Sequence, residues 1–330
     1  MIELSSEIER VMSTNTEALS SIVRWSESIG KGSLLEIATK CAICGTFGYS
    51  ETVFPASIDS STFSYDVFSA RRLPDRRHYQ WVKCKECSLY RSDPIWDIDL
   101  TDLYTNSTFD YSKELHGLKT SYRRIVSKSC PEPQGKSILE IGGGNGFFLE
   151  EALQMGFARI TEIEPSVPAF ESASDRVKPF FKVDVVRQGL IDDNSEDLVV
   201  IFHVLDHLPD PLAVLKLINQ MLKPGGAICI AVHNVNSISS KLLKNRSPIF
   251  DVEHTYLYSK KTILRLLEQA GFESVRVKHY KNSYSLAYLL HLVPISRNVR
   301  KRILSSTFGD WLSKVRVTVP LGNMWATAVK

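Results

Sequence analysis

The sequence of 330 residues has neither a long hydrophobic run nor a strong excess of charge of one sign. Its longest apolar stretch, residues 284–295, contains His291 and Pro294 and is shorter than the roughly 20 residues that cross a bilayer. The first residues, MIELSSEIERVM, are polar and acidic and differ from a secretory signal. These absences predict a cytoplasmic protein without a membrane span.

The net charge is also small, +3 from 40 basic and 37 acidic residues, so a nucleic-acid partner is not expected on this ground. Basic side chains are concentrated only in residues 70–77 and 297–302. Such a segment is usually a solvated surface, although arginine also matches the geometry of phosphate oxygens. The arginines at 71, 72, 76 and 77 lie near a pair of cysteines, so a phosphate-binding surface remains the alternative there.

Cysteine is scarce, with six residues in the chain, and without an export signal they do not indicate a disulfide framework. Four of them form two Cys-x-x-Cys pairs, and each such turn can present two thiolates to one metal ion. We therefore expect a structural zinc ion, with four unmetallated thiols as the alternative. Four thiolates leave no open coordination position, so this metal would stabilise the fold and not catalyse a reaction. Its ligands would be Cys41, Cys44, Cys84 and Cys87.

The chain divides into three parts. Residues 1–38 are polar with apolar positions at helical spacing, which predicts an N-terminal helical arm. Residues 39–110 contain both cysteine pairs and predict a zinc-binding lobe of short strands and turns. From residue 111 to 330, apolar strands alternate with helical patterns, which is typical of an α/β fold with a doubly wound, mostly parallel sheet. A mostly helical insertion is expected at about residues 283–313.

Within the third part, individual elements follow from the local patterns. Strands are predicted at 137–141, 159–164, 179–184, 197–202 and 227–232, and two more, 274–280 and 323–330, would close the sheet. Helices are predicted at 147–157, 212–222 and 260–272.

Four glycines follow the first of these strands, in SILEIGGGNGFF, residues 137–148. A glycine-rich turn between a strand and a helix lets a ligand approach the backbone closely. The dinucleotide-binding motif needs a third glycine where this chain has Phe147. A nicotinamide or flavin dinucleotide is therefore not expected. A tight turn without a ligand remains an alternative.

Acidic residues at the ends of three successive strands indicate a different ligand. Glu140 lies in the first strand, Glu164 ends the second and Asp184 ends the third. Carboxylates at these places suit a ligand with an ammonium and a sulfonium group, two ribose hydroxyls and an adenine amine. We therefore expect a site for S-adenosylmethionine (SAM).

From about residue 135 onward the chain resembles the class I SAM-dependent methyltransferases. LEIGGGNG resembles the first motif of that family, ITEIEPS its ribose-binding motif and LKPGGAICIAV the strand after its fourth helix. VIFHVLDHLPDP and EHTYLYSKKTILRLLEQAGF resemble two further segments. The resemblance implies that ten residues bind the cofactor: Glu140, Gly142, Gly143, Gly144, Gly146, Glu164, Pro165, Asp184, Val185 and His203.

The order of a cysteine lobe followed by this domain resembles the sugar C-methyltransferases. In that family the zinc lobe helps to cover a nucleotide-sugar, and the catalytic segment reads Tyr-x-Glu-His. This chain has Asp251 at the tyrosine position, followed by Glu253 and His254. The resemblance implies a small-molecule acceptor such as a nucleotide-sugar, with His254 as base or acceptor-binding residue and Glu253 beside it. A hydrogen bond that fixes the loop is the alternative role of His254.

Other histidines are candidates for removing a proton from the acceptor, which is the main chemical task left to the protein. They are His203, His207 and His233. The spacing of His203, Asp206 and His207 predicts one helix face, where they could bind a divalent cation. The same segment supplies metal ligands in quinone O-methyltransferases, which have glutamates at the positions of His203 and Asp206. Local hydrogen bonding is the alternative.

Two other functions remain open at this stage. Methyltransferases with a zinc lobe also modify RNA, and the basic segments could follow a phosphate backbone. A catalytically silent, SAM-binding interaction module is the third possibility. The sequence does not indicate the oligomeric state.

Overall fold

The computed structural model of the chain describes residues 35–58, 77–98, 105, 115–292 and 295–330. Most of the predicted N-terminal arm, residues 1–34, lies outside the described residues, as do the arginines at positions 71, 72 and 76.

Fifteen strands lie in the part of the chain that the structure describes. They are β1 (Glu36–Ile37), β2 (Ser50–Phe54), β3 (Trp81–Cys84), β4 (Tyr90–Ser92), β5 (Ile95–Trp96), β6 (Ser137–Ile141), β7 (Arg159–Ile163), β8 (Phe181–Lys182), β9 (Glu196–Phe202), β10 (Leu222–His233), β11 (Tyr256–Leu257), β12 (Glu273–His279), β13 (Asn282–Ser285), β14 (Arg316–Val319) and β15 (Asn323–Val329). The described α-helices are α1 (Leu115–Ser129), α2 (Phe147–Met155), α3 (Val167–Ser172), α4 (Pro211–Met221), α5 (Ile238–Leu243), α6 (Lys260–Gln269), α7 (Leu286–Leu292), α8 (Arg297–Leu304) and α9 (Thr307–Lys314).

A seven-stranded sheet, in the order β12-β15-β10-β9-β6-β7-β8, forms the centre of the C-terminal part. Strands β8, β7, β6, β9 and β10 run parallel, whereas β15 is antiparallel to both of its neighbours. The predicted α/β fold is thus confirmed, and the two C-terminal strands close the sheet as expected. The carboxyl ends of β7, β6, β9 and β10 lie side by side, at the edge where open α/β sheets bind their ligands.

Both faces of this sheet are covered, which explains why central strands such as β9 carry a continuous apolar run. Alternate residues of β9 pack on opposite sides. Val199 and Ile201 belong to one apolar cluster, and Leu198 and Val200 belong to the other. The first cluster includes residues of α4 and α6, and the second includes residues of α1 and α2.

Two predicted elements differ from the structure. The strand expected over 179–184 is reduced to β8, because Pro179 lies in a 3-10 turn, Lys178–Phe180, and proline has no N–H for a sheet. Residues 203–207, expected to share a helix face, form a turn instead. His203 has a φ of 56° there, a left-handed conformation that does not start an α-helix.

The cysteine-bearing part is joined to the C-terminal part through a shared sheet. This second sheet has the order β11-β4-β3-β2, and β11 pairs with β4 through Tyr256 opposite Arg91. The Ser92 hydroxyl donates to the carbonyl oxygen of His254 at 2.9 Å. The predicted zinc-binding lobe, residues 39–110, is therefore connected directly to the segment that carries Glu253 and His254.

The insertion expected at about residues 283–313 contains α7, α8 and α9, which lie between the paired strands β13 and β14. In the part of the chain that the structure describes, no helix combines the length and the apolar character that crossing a bilayer requires.

Candidate active site

The glycine-rich loop, residues 142–146, joins β6 to α2. Gly142, Gly144 and Gly146 have φ angles of 72°, 64° and 70°, in the left-handed region that favours glycine. A Cβ atom on Gly142 would lie 2.5 Å from Cγ2 of Val204. Backbone conformation and close packing therefore both require glycine in this loop.

Two carboxylates that follow one another along β7 and its end hold the loop in place. Glu162 Oε1 accepts a hydrogen bond from the N–H of Gly143 at 2.7 Å, and Glu164 Oε2 accepts one from Gly144 at 2.9 Å. Glu164 Oε1 accepts another from the N–H of Ser166 at 2.9 Å. Both carboxylates are buried. The next strand thus fixes the conformation of the glycine-rich loop.

Glu140 lies beneath the loop and is fully buried. It is the register partner of Glu162 across β6 and β7. A Cβ atom on Gly143 would lie 2.5 Å from Cδ of Glu140 and would also clash with the Glu162 carboxylate. The two carboxyl groups therefore meet under this glycine. The sequence predicts that Glu140 contacts the cofactor, and in the structure its carboxyl group packs against the glycine-rich loop.

The environment of these acids favours their protonated forms. Burial raises the pKa of Glu140 to about 8, although its hydrogen bond with Glu162 opposes the change. Burial and the charge of Glu140 hold the pKa of Glu162 well above its usual range. Burial raises the pKa of Glu164 to about 6, against the N–H groups of Ser166 and Gly144. Near pH 7 the Glu140–Glu162 pair therefore retains at least one proton, which one carboxyl group can donate to the other.

The remaining residues expected at the cofactor lie at neighbouring strand ends. Asp184 follows β8 and pairs with Arg187, at 2.7 Å between Oδ2 and Nη2. Its Oδ1 accepts a hydrogen bond from the N–H of Val185 at 2.8 Å. Pro165 directly follows Glu164 at the end of β7. The predicted series of acids on successive strands is therefore present, because β6, β7 and β8 are neighbours.

A histidine group, comprising His203, His207, His233 and His254, lies at the ends of β9 and β10 and before β11. Ring centroids are 4.7 Å apart for His203 and His233, 4.7 Å for His207 and His254 and 5.3 Å for His233 and His254. Asp206 lies among them with none of its surface exposed, and this burial raises its pKa. All four histidines proposed from the sequence therefore come together, around a carboxyl group.

His254, the first candidate for a base, is buried. Its Nδ1 lies 2.8 Å from the carbonyl oxygen of Ile249, and its Nε2 lies 3.6 Å from Oδ2 of Asp206. Both ring nitrogens are thus directed at protein atoms. This placement favours the alternative role, in which His254 fixes the loop, over direct removal of a proton from an acceptor.

The backbone of Glu253 contacts His207 of the histidine group. Its carbonyl oxygen lies 3.1 Å from Nδ1 of His207, and its N–H donates to Oδ1 of Asp251 at 3.2 Å. Asp251, which stands where the sugar C-methyltransferases have tyrosine, therefore stabilises the turn that presents Glu253.

The other two histidines are oriented by residues that sequence reasoning missed. Nε2 of His203 lies 2.8 Å from the hydroxyl of Tyr280, and Nδ1 of His233 lies 3.0 Å from Oδ1 of Asn323. Glu162 was missed as well. It is a charged residue between Ile160 and Ile163, two buried apolar positions of the same strand, and that signal could have identified it. Tyr280 and Asn323 carry no such signal, because their contacts are distant in sequence.

The four paired cysteines form one cluster, defined by Cys41, Cys44, Cys84 and Cys87. Their sulfur atoms all lie within 4.8 Å of one another. The Sγ–Sγ distance is 3.5 Å between Cys41 and Cys87 and 4.0 Å between Cys84 and Cys44. Both sequence pairs thus converge on one point, as the spacing predicts.

Comparison with known proteins agrees with this geometry. Residues 115–277 match the family model described as "Methyltransferase domain". The ubiquinone biosynthesis O-methyltransferase of Xanthomonas axonopodis pv. citri is 30% identical over 128 residues, which are 37% of this chain and 53% of that protein. The chain thus spans about half the length of this relative.

Two further similarities are more distant. The tRNA U34 carboxymethyltransferase of Nautilia profundicola is 27% identical over 123 residues, 34% of this chain and 41% of that protein. A SAM-dependent methyltransferase of Thermotoga maritima, a possible histamine N-methyltransferase, has a TM-score of 0.44 at 19% identity, covering 67% of this chain and 93% of that one. The match over residues 115–277 and the sheet order together give this part of the chain the Rossmann-like fold of a methyltransferase domain, and the family match supports an enzyme that transfers methyl groups.

The replacement Glu162→Gln should weaken the pH dependence of folding. The ordinary pKa of Glu140 and Glu162 is 4.5, so the folded state binds more protons than the unfolded state between about pH 4.5 and 8. The free energy of unfolding therefore falls as the pH rises through this window, by up to about 1.4 kcal/mol per pH unit for each group. A glutamine amide can accept from Gly143 and donate to Glu140 without a titrating proton. Chemical denaturation at pH 5 and pH 8 measures the difference.

Glu268→Gln is the matched control, because Glu268 is an exposed residue of α6, and it should keep the wild-type slope. The same slope in Glu162→Gln as in the wild type would contradict a shared proton.

Proposed function

We propose that this domain transfers the methyl group of SAM to a small polyhydroxylated acceptor, a sugar or a nucleotide-linked sugar. The observation that supports this most is the histidine group, which gathers four imidazoles at the carboxyl ends of β9 and β10. Strand β9 is the direct neighbour of β6, so this polar group lies on the same sheet edge as the glycine-rich loop. A polar lining suits an acceptor with several hydroxyl groups.

The glycine-rich loop and Glu164 would bind the cofactor. A carboxylate oxygen has more than one lone pair, so Glu164 can accept hydrogen bonds from ribose hydroxyls while it keeps those from Gly144 and Ser166. Asp184 and Val185 would meet the adenine. When bound, SAM supplies a methyl group that is already activated for displacement, and the protein has to position the acceptor and accept its proton.

His233 is the residue best placed to accept that proton. It adjoins His203, which is proposed to line the cofactor site, and it is half-buried. If Nδ1 donates to Oδ1 of Asn323, Nε2 is the nitrogen able to take a proton. Asn323 is thus a positioning residue for His233.

His207 would bind the acceptor, and Glu253 and His254 would hold its ring and the surrounding loop in place. His207 is half-buried, and its ring is fixed by the carbonyl of Glu253. The cysteine-bearing sheet adjoins this place, because Ser92 donates to the carbonyl of His254. An acceptor carried on a nucleotide would extend toward that sheet, and Arg77 is our candidate for contacting its phosphates.

The named relatives favour other acceptors. One acts in ubiquinone biosynthesis as an O-methyltransferase, and another modifies a tRNA. The similarity to a tRNA-modifying enzyme also makes nucleic acid a more plausible partner than the small net charge predicts. A phenolic quinone precursor is therefore our second candidate acceptor, and RNA is the third.

Incubation of the purified chain with SAM that carries a labelled methyl group should distinguish these acceptors. We expect label in a nucleotide-linked sugar and in neither a phenolic quinone precursor nor transfer RNA. His233→Ala should lower turnover at least about a hundredfold, the smallest effect typical of a general base, while the affinity for SAM stays the same. Label in the phenol or in the RNA would replace the sugar proposal, and bound SAM without transfer to any acceptor would indicate a silent binding module.

The cysteine cluster is proposed to hold a structural zinc ion. A tetrahedral site with Zn–S bonds of about 2.3 Å has sulfur atoms roughly 3.8 Å apart, and the two measured distances, 3.5 and 4.0 Å, lie on either side of this value. Neither a disulfide nor an open coordination position is part of this arrangement. The metal would stabilise β3 and the turns around it.

Cys87→Ser should remove the zinc that resists mild chelation and should lower the melting temperature by several degrees. The control is Cys130→Ser, since Cys130 is also buried but lies outside the cluster, and it should retain the zinc ion that resists mild chelation. Elemental analysis and thermal unfolding are the two readouts. Equal zinc content in both variants would exclude the cysteine cluster as the metal site.

A further inference from the structure

We infer that Asp206, His207 and His254 form a second metal site, which binds a divalent transition-metal ion. The three residues offer one carboxylate oxygen and two imidazole nitrogens within 4.8 Å of one another. This set differs from the one that the sequence suggested, because His254 from a distant segment takes the place of His203.

The strongest observation is the state of the Asp206 carboxyl group. The residue has no exposed surface, and neither carboxylate oxygen has a hydrogen-bond partner. Nε2 of His254 lies 3.6 Å from Oδ2, which is too far for a hydrogen bond. A buried carboxylate without hydrogen-bond donors is unfavourable, and a bound cation would offset this cost.

Both imidazoles are already oriented as metal ligands. Nδ1 of His254 is 2.8 Å from the carbonyl oxygen of Ile249, and Nδ1 of His207 is 3.1 Å from that of Glu253. A carbonyl oxygen can only accept, so in each ring Nδ1 carries the proton and Nε2 has the lone pair. Metal-binding histidines are typically fixed in this way, by a second hydrogen bond to a carbonyl or carboxylate.

The backbone holds the two contributing segments together. The carbonyl oxygen of Asp206 accepts hydrogen bonds from the N–H groups of Thr255 at 2.9 Å and Tyr256 at 3.1 Å. Metal–ligand bonds of about 2.0–2.2 Å place donor atoms roughly 3 Å apart, so small side-chain rotations would close the site. The positions of the ligands are thus largely set before a metal binds.

Two imidazoles and one carboxylate favour an ion such as Zn²⁺, Fe²⁺ or Co²⁺ over Mg²⁺ or Ca²⁺. Three protein ligands leave coordination positions open. If the proposed function holds, two neighbouring oxygens of the acceptor would occupy them, and the metal would make an acceptor hydroxyl more acidic. The binding of the ion itself does not depend on that function.

Metal reconstitution of the full chain tests this inference. After removal of metal with a chelator, the protein should bind two equivalents of Co²⁺. Co²⁺ in the cysteine cluster should give the intense near-ultraviolet absorption of thiolate ligation. Co²⁺ at the second metal site should give only weak visible bands. His207→Ala and Asp206→Asn should each bind one equivalent, with the thiolate absorption unchanged, whereas His203→Ala should still bind two.

Several results would overturn the inference. Wild-type protein that binds a single equivalent would show that Asp206 is neutralised by a proton or by His254 alone. Loss of the second equivalent in His203→Ala, and not in His207→Ala, would place the ion instead at His203, Asp206 and His233, whose donor atoms also lie within 4.8 Å of one another. SAM titration and circular dichroism of each variant separate these results from a failure of cofactor binding or of folding.

Discussion

The candidate site depends first on how the backbone of the glycine-rich loop is held. The N–H groups of Gly143 and Gly144 donate to the carboxylates of Glu162 and Glu164, so the end of β7 fixes the loop that follows β6. The loop can adopt this shape only with glycine. Its backbone is left-handed at Gly142, Gly144 and Gly146, and a Cβ atom on Gly143 would clash with the carboxyl groups of Glu140 and Glu162. Buried carboxyl groups in the sheet thereby form one wall of the proposed cofactor site.

A second set of contacts brings the acceptor side to the same edge. The carbonyl of Asp206 accepts from Thr255 and Tyr256, and β11, which begins at Tyr256, pairs with β4 of the cysteine-bearing part. The turn after β9, the segment around His254 and the cysteine-bearing sheet therefore form one connected structure. This explains how the remote cysteine-bearing segment can influence the proposed chemistry at the strand ends without contributing a catalytic group.

Sequence patterns predicted the features that depend on local order. Strands β6, β9 and β10, helices α2, α4 and α6 and the glycine-rich loop could be located from apolar runs, caps and glycines. The convergence of four histidines could be expected as well, because each follows the carboxyl end of a strand or its neighbouring loop.

Features that depend on side-chain direction could not be predicted. The pairing of Glu140 with Glu162 follows from the register of β6 and β7, which the sequence does not state. The left-handed backbone of His203 breaks a spacing that would otherwise indicate a helix. The burial of His254 results from contacts with Ile249 and Asp206, and only the folded chain shows that both of its nitrogens face the protein.

Calorimetric titration of SAM into the full chain tests the central claim, that the glycine-rich loop and Glu164 form the cofactor site. We expect saturable binding of one SAM per chain. Loss of a hydrogen bond to a charged group costs about 1.5–3 kcal/mol, so Glu164→Gln should weaken binding by roughly 10- to 150-fold. Glu171→Gln, an exposed change on the adjoining helix α3, should leave the affinity unchanged. Absence of binding, or equal affinity of the wild type and Glu164→Gln, would contradict this assignment.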